Sequence, residues 1–160
     1  LCTMLKNPKK IIVCENNTER RQFVKKYYPQ ILVTNFENCK NIINKECEHG
    51  GADVVIEAAG TEDTFRLAWE SARPNAIVTI VALYDKPIIL PLPDMYGKNL
   101  IFKTGGVDGC NCNEILALIE QGKINTVPLI THKYKLADIE KAYNIFEQKK
   151  DNVMKIAIIN

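Results

Sequence analysis

The sequence predicts an α/β protein built on a parallel sheet, and two observations support this. Short, almost continuously apolar runs recur along the chain, for example at Ile11–Glu15 and Asp53–Gly60. Apolar residues at successive positions are typical of strands that are covered on both faces. Amphipathic segments with helical spacing separate these runs, and strands that alternate with helices usually pair in parallel.

Before Gly105, residues that start or stop helices mark the ends of each element. Thr18 and Thr61 are predicted N-caps, because a hydroxyl there accepts a backbone N–H of the first turn. Pro29 and Gly50–Gly51 are predicted to end helices. The predicted order is strand 11–15, a helix between Thr18 and Pro29, strand 31–33, helix 37–48, strand 53–60, helix 62–72, strand 77–81 and strand 99–104, with 88–90 as an edge or connector.

The last third of the chain follows a different pattern. Helix 113–122, an extended stretch 129–134, helix 136–148 and a final strand 153–159 are predicted there. The glycine-containing stretch 105–111 is the best boundary between the two parts, and it is compact rather than a flexible linker.

Composition argues against several classes of function. At 46% hydrophobic and 25% charged residues the chain is globular. A formal charge of +2, with basic and acidic residues interspersed, does not favour a nucleic-acid partner. Apolar runs such as Ile77–Leu83 are too short to span a membrane, and no signal peptide is visible. A cytoplasmic location is expected.

The cysteines and histidines give a weak metal signal. None of the six cysteines has C-x-x-C spacing, and zinc usually needs four close ligands or three and a water. Cys110 and Cys112 form a single C-x-C without a second pair. We therefore predict reduced thiols and no metal ligand in this chain. His132, alone in an apolar extended run, is predicted to be a structural hydrogen-bonding residue.

Glu15 is the strongest candidate for a functional residue. In a Rossmann-type doubly wound fold, an acid that ends the second strand accepts the adenosine ribose hydroxyls, and a glycine-rich turn after the first strand holds the pyrophosphate. Only Leu1–Lys10 precede the strand that ends at Glu15, and they contain no glycine. We therefore expect the later portion of a nucleotide-dependent enzyme, without its first, central strand and glycine loop.

Several segments together carry a family resemblance. Residues 51–60 read Gly-Ala-Asp-Val-Val-Ile-Glu-Ala-Ala-Gly, residues 122–125 read Gly-Lys-Ile-Asn, and residues 128–134 read Pro-Leu-Ile-Thr-His-Lys-Tyr. With Glu15, they resemble the zinc-dependent medium-chain alcohol dehydrogenases, especially the branch acting on secondary alcohols and polyols. The resemblance extends over essentially the whole chain, and a helix adds Leu136, Ile139, Ala142 and Phe146.

The resemblance implies a domain organisation and an activity. Residues 1–104 would form an NAD-binding Rossmann domain, incomplete at its N-terminus, and residues 105–160 would return to a catalytic domain. The parent protein would transfer hydride between a secondary alcohol or polyol and NAD, and would act as a dimer or tetramer. Zinc would be bound only by the missing N-terminal catalytic domain. The present chain alone is expected to be inactive, and marginally stable without its central strand.

The resemblance also assigns positions to the cofactor. Glu15 would favour NAD over NADP, because its charge repels a 2′-phosphate. Arg20 matches a position where the family often has a basic residue near the same ribose, although a plain exposed role explains it equally well. Gly60 would permit close approach to the nicotinamide-side ribose. The expected cofactor-binding residues are Glu15, Arg20, Ala59, Gly60, Val81, Ala82, Leu83, Thr104 and Gly105; no catalytic residue is expected.

Three alternatives remain open. A Rossmann-type methyltransferase that uses S-adenosylmethionine also has an acid after its second strand, but usually closes with an antiparallel hairpin. The zinc-free quinone-reductase branch of the same superfamily prefers NADP, which Glu15 disfavours. A non-catalytic remnant or interaction module would pair its exposed sheet edge with a partner.

Overall fold

A computed structural model of the chain describes residues 2–105 and 111–160. Most of the predicted boundary stretch 105–111, including Gly106 and Cys110, lies outside these ranges. Within them the strands are β1 (Ile12–Cys14), β2 (Leu32–Thr34), β3 (Ala52–Glu57), β4 (Ala72–Ile80), β5 (Ile101–Thr104), β6 (Ile130–Lys135) and β7 (Lys155–Ile159). The α-helices are α1 (Thr18–Tyr27), α2 (Phe36–Glu46), α3 (Glu62–Ser71), α4 (Leu92–Met95), α5 (Cys112–Glu120) and α6 (Ile139–Glu147).

Strands β3 to β5, and strands β6 and β7, pair in parallel, as predicted. The order β3–β4–β5 forms a three-stranded sheet in which Val55, Val78 and Phe102 lie side by side. Strands β6 and β7 form a second parallel pair, and β1 and β2 form a further two-stranded sheet. The α/β class is therefore confirmed.

The chain divides into two compact units. The first comprises Leu1–Val33 and Gly109–Asn160, and the second comprises Thr34–Asp108. The second unit ends close to the predicted boundary, whereas residues 1–33 group with the first unit.

Helix α3 and one face of the β3–β4–β5 sheet form the core of the second unit. Val78 at the centre of β4 is fully buried against Ala68 and Ala72, and Val55 and Phe102 pack beside it. The small alanine side chains allow the helix to lie close to the sheet. A neighbouring cluster contains Phe65, Trp69 and Met95.

The opposite face of this sheet is exposed, whereas the sequence predicted that both faces would be covered. Val54, Ile56 and Ile101 lie on that face and are each more than half exposed. Helix α3 covers the other face, so the prediction holds for one side of the sheet within the described residues.

Strand β4 begins earlier than predicted. It starts at Ala72, directly after α3, instead of at Ile77. The early start follows from strand pairing, because Ala72 pairs with Ala52 and the register then shifts before Ile77 pairs with Val54. At the end of α3, Lys98 Nζ donates hydrogen bonds to the carbonyl oxygens of Trp69 (3.0 Å), Glu70 (2.8 Å) and Ala72 (2.9 Å). Helix-end carbonyls need a donor, and this side chain supplies it without a capping loop.

Other element ends also differ slightly. The N-cap of α1 is Asn17, whose Oδ1 accepts from Arg20 N at 2.9 Å, and not Thr18, which is already helical. The Glu15 carboxylate accepts a hydrogen bond from Asn17 N (2.9 Å). This bond fixes the turn before α1, so the N-cap lies one residue before the predicted Thr18. The predicted Thr61 cap of α3 is confirmed, with Thr64 completing a capping box. Residues 88–90 form no strand.

The first unit contains the predicted ending of strand, helix and strand. β6 and β7 pair in parallel with His132 opposite Ile156, and α6 connects them. Ile124, Ala142 and Val153 are buried in this unit. Across the described residues, no helix combines the length and apolar character needed to cross a membrane.

Candidate functional site

The carboxyl ends of β3, β4 and β5 lie side by side. Glu57 pairs with Ile80, and Ile80 pairs with Thr104. Beyond the strands, Val81 N donates to Glu57 O (2.9 Å) and Gly105 N donates to Ile80 O (3.3 Å). Ligands of open parallel sheets bind outside this edge. The structure thus brings together the predicted site residues that follow three different strands.

Gly60 and Leu83 make the closest contact between two of these loops. Gly60 has φ +78°, and a Cβ atom there would lie 2.5 Å from the Leu83 carbonyl oxygen and 3.4 Å from Ala82 Cβ. Only glycine satisfies both the left-handed backbone and this approach. The residue type at position 60 is therefore explained by a contact within the chain.

The Glu57 carboxylate also connects these two loops, through hydrogen bonds to both. Its side chain is buried, with 3% of the residue exposed. Oε1 accepts from the backbone N–H groups of Ala59 (2.8 Å) and Gly60 (3.0 Å), and Oε2 accepts from the Tyr84 hydroxyl at 2.5 Å. One carboxylate thus receives three donors from the loops that follow β3 and β4.

The pKa shifts of Glu57 and Tyr84 indicate which of the two groups carries the proton. Burial raises the pKa of Glu57, but hydrogen bonds from Tyr84 and from the Gly60 and Ala59 amides outweigh it, so the pKa lies below its usual value. Burial, the hydrogen bond to Glu57 and the charge of Glu57 raise the pKa of Tyr84. At neutral pH the carboxyl group is ionised and the tyrosine keeps its proton.

The loops above Glu57 are open to solvent. Leu83 is 91% exposed, although it lies directly beside Gly60. A buried carboxylate therefore lies beneath a surface formed largely by exposed residues. The exposed members of the predicted set in this unit are Ala59, Val81, Leu83, Thr104 and Gly105.

Glu15 lies in the first unit, just after β1. Its Oε1 accepts from Asn17 N, and its Oε2 lies 3.6 Å from Arg20 Nη1. Arg21, which the sequence did not single out, donates from Nη1 to Glu15 O (2.8 Å) and Asn16 O (2.6 Å). Arg20 thus approaches the carboxylate, while Arg21 fixes the backbone that carries it.

Glu57 and Tyr84 are also absent from the predicted site. A signal for Glu57 is present in the sequence, because it is an acid at the end of an apolar strand, as Glu15 is. Tyr84 lies in a loop 27 residues further along the chain, and no local pattern connects the two.

The described residues do not offer a metal centre. In residues 2–105 and 111–160, no three His, Cys, Asp or Glu side chains converge in a way that could hold an ion. His132 Nδ1 lies 3.0 Å from Thr131 Oγ1. That hydroxyl donates to Lys155 O (3.2 Å) and accepts from Met154 N (3.0 Å). His132 therefore belongs to a local hydrogen-bond network beside β7.

The fold and this edge define a Rossmann-like α/β protein of the kind found in alcohol dehydrogenases. The zinc-binding dehydrogenase family matches residues 1–121, and the chain belongs to that family. An alcohol dehydrogenase of Cupriavidus necator is 30% identical over 156 residues, covering 92% of this chain and 42% of that protein. The predicted family resemblance is confirmed.

Solved structures agree with this assignment of the fold. Alcohol dehydrogenase TADH from Thermus sp. ATN1 superposes with a TM-score of 0.90 at 24% identity, covering 99% of this chain and 46% of that one. Zinc-dependent alcohol dehydrogenase 2 from Streptococcus pneumonia gives 0.87 at 28% identity, covering 96% and 45%. The chain spans less than half the length of each of these three relatives.

Proposed function

We propose that this chain is the NAD-binding portion of an oxidoreductase that transfers hydride between a secondary alcohol or polyol and NAD. The main supporting observation is the close contact between the loops that follow β3 and β4 at the carboxyl edge of the sheet, where Gly60 meets the Leu83 carbonyl. The chain belongs to a family of dehydrogenases. When bound, the nicotinamide ring accepts or donates the hydride at C4. The residues of this chain bind and orient the cofactor.

The second unit is assigned to the nicotinamide half. Val81, Leu83, Thr104 and Gly105 are exposed on the loops that follow β4 and β5. The Val81 and Gly105 amides already bond to the sheet, so the carbonyl groups and the other amides of these loops are the ones assigned to a carboxamide and a ribose. Ala59 and Gly60 contribute the neighbouring loop. Leu83 adds an exposed apolar side chain that can pack against a flat ring.

The first unit is assigned to the adenosine ribose. A carboxylate at the position of Glu15 can accept hydrogen bonds from ribose hydroxyls, and its charge disfavours a 2′-phosphate. Oε1 is used by Asn17 N, which leaves Oε2, beside Arg20, for the ribose. Preference for NAD over NADP follows from this arrangement.

The remaining assignments are also proposals. Residues 1–104 would form the cofactor domain and residues 105–160 a segment that joins a catalytic domain. The substrate would be a small alcohol or ketone, and the protein a dimer or tetramer. Zinc is expected from the family, but the described residues do not fit it, since no three potential ligands converge. No step of the reaction is therefore assigned to zinc.

The parallel ending of the chain favours this function over the methyltransferase alternative. Strands β6 and β7 are parallel and joined by α6, whereas an antiparallel hairpin would be typical of that class. The interaction-module alternative, in which an exposed sheet edge pairs with a partner, would use β3 or β5, the outer strands of the three-stranded sheet.

Equilibrium titration of the chain with NADH, followed by nicotinamide fluorescence, tests the proposal. We expect saturable binding that AMP competes away, and no binding of S-adenosylmethionine by calorimetry. Binding of S-adenosylmethionine without NADH would identify the methyltransferase class. Binding of neither, by a chain that circular dichroism shows to be folded, would contradict a cofactor-binding function and favour an interaction module.

A further inference from the structure

We propose that Glu57 and Tyr84 form a clamp that positions the loops after β3 and β4 for the nicotinamide half of the cofactor. The inference rests on the proposed function, and deepens it by naming two positioning residues that the family resemblance did not assign. Neither side chain is required to touch the cofactor. Their role is to fix the backbone of Ala59–Gly60 and Val81–Leu83.

The hydrogen bonds of the clamp join two loops that are distant in sequence. Glu57 Oε1 holds the amides of Ala59 and Gly60, while Oε2 holds the Tyr84 hydroxyl, one residue beyond Leu83. The short distance between Gly60 and Leu83 then leaves little freedom for either loop to shift. Errors of about 1 Å in ligand placement can be costly, so such fixation matters at a reacting centre.

Tyr84 anchors this arrangement to the core. Its ring packs with Ile80 and Ile88 against the buried cluster of Phe65, Trp69 and Met95. The hydroxyl therefore reaches Glu57 from a side chain that is itself held in place. The Tyr84 hydroxyl thus connects the Glu57 carboxylate, and the two amides that it binds, to the core cluster.

The chemistry of the clamp suggests a role in geometry more than in stability. Burying a carboxylate is unfavourable unless donors compensate it, and an apolar pair of similar volume would avoid that penalty. Three directed donors instead specify where two loops lie. This is what a binding surface made mainly of backbone atoms requires.

Three substitutions separate the possibilities. Glu57→Gln retains an oxygen for the two amides and an NH2 that can donate to the Tyr84 oxygen, so it should rescue the clamp. Glu57→Leu removes all three acceptor contacts. Tyr84→Phe keeps the packed ring and removes only the hydroxyl. Glu62→Gln and Tyr96→Phe, both exposed, serve as matched controls.

The experiment measures NADH and AMP affinity for the full chain and each variant. We expect Tyr84→Phe to weaken NADH binding by about tenfold, the lower end of the scale for one hydrogen bond to a charged group, and Glu57→Leu to weaken it by more than that. Glu57→Gln and the controls should stay within about threefold. AMP affinity, assigned to Glu15, should change less than twofold, which a general loss of structure would not produce.

The outcomes distinguish the clamp from the proposed function. If the wild-type chain does not bind NADH, the proposed function fails and the clamp with it. If the wild type binds and Tyr84→Phe binds equally well, only the clamp is overturned. Equal losses of NADH and AMP would also overturn it, since they indicate a structural role alone. Should Glu57→Leu fail to fold, Tyr84→Phe and Glu57→Gln decide the question.

Discussion

A Cβ atom at Gly60 would lie 2.5 Å from the carbonyl oxygen of Leu83, in the loop that follows the next strand along the chain. The backbone at Gly60 also has φ +78°, a conformation that residues with a Cβ atom adopt only at an energetic cost. Two independent constraints thus act at one position of the carboxyl edge. Each can be measured separately, because the chain contains a second glycine that has only one of them.

Replacing Gly60 by alanine should destabilise the chain more than the same change at Gly97. Gly97 has φ +85° and no atom within 4 Å of the point that a Cβ would occupy, so alanine there incurs only the backbone cost, about 1–2 kcal/mol. Gly60→Ala adds the clash with Leu83 O. Urea unfolding of the two variants measures the difference. Equal losses of unfolding free energy in the two variants would show that the loops at Gly60 and Leu83 can move apart without destabilising the chain.

Lys98→Met should lower the free energy of unfolding by about 1–3 kcal/mol, because the buried carbonyls that end α3 lose their donor. Methionine keeps an unbranched apolar stem but also removes the ammonium that lies 5.5 Å from the centroid of the Trp69 ring, so the loss includes that contact. Lys86→Met, at an exposed position, is the control and should change stability by less than about 0.5 kcal/mol. Chemical denaturation compares them, and indistinguishable midpoints would contradict the capping role.

Stability should depend on pH through Glu57. Its pKa in the folded chain lies below the ordinary value of 4.5, so the ionised carboxylate stabilises the fold above that value. The contribution is lost as the pH falls through the folded-state pKa. We expect wild type to exceed Glu57→Gln in unfolding free energy at pH 7, and this difference to shrink below about pH 4.5. A difference independent of pH would contradict the ionised, hydrogen-bonded state.

Arg21 and Arg20 should differ in their effect on stability although they are neighbours. Arg21→Met removes hydrogen bonds to Glu15 O and Asn16 O and should cost about 1–2 kcal/mol. Arg20→Met removes an exposed ion pair at 3.6 Å and should cost less than about 0.5 kcal/mol. Thermal unfolding of both variants checks the order. The reverse order would contradict the structural role given to Arg21.

Much of the fold could be predicted because its determinants are local. Apolar runs and helical spacing identified the alternation of strands and helices, and Thr61 identified the start of α3. Parallel pairing then brings the carboxyl ends of β3, β4 and β5 to one edge. That geometry explains why the residues predicted after those strands, such as Gly60, Leu83 and Thr104, lie near one another.

The features that could not be predicted depend on contacts between distant residues. Lys98 caps α3 from 29 residues beyond Trp69, and the early start of β4 depends on the pairing of Ala72 with Ala52, so no local pattern indicates either feature. The partner of Glu57 is likewise a tyrosine in a loop, without a periodic pattern. Two adjacent arginines look alike in sequence, and only the fold shows that Arg21 turns towards the backbone.

The ratio of the dissociation constants for NADPH and NADH, measured by titrating the same preparation, tests the central claim most directly. We expect NADH to bind at least about tenfold more tightly, because Glu15 in its proposed role would accept the ribose hydroxyls and repel a 2′-phosphate. Glu15→Ala should bring the ratio towards one. Equal affinity of the wild-type chain for the two cofactors would contradict the assignment.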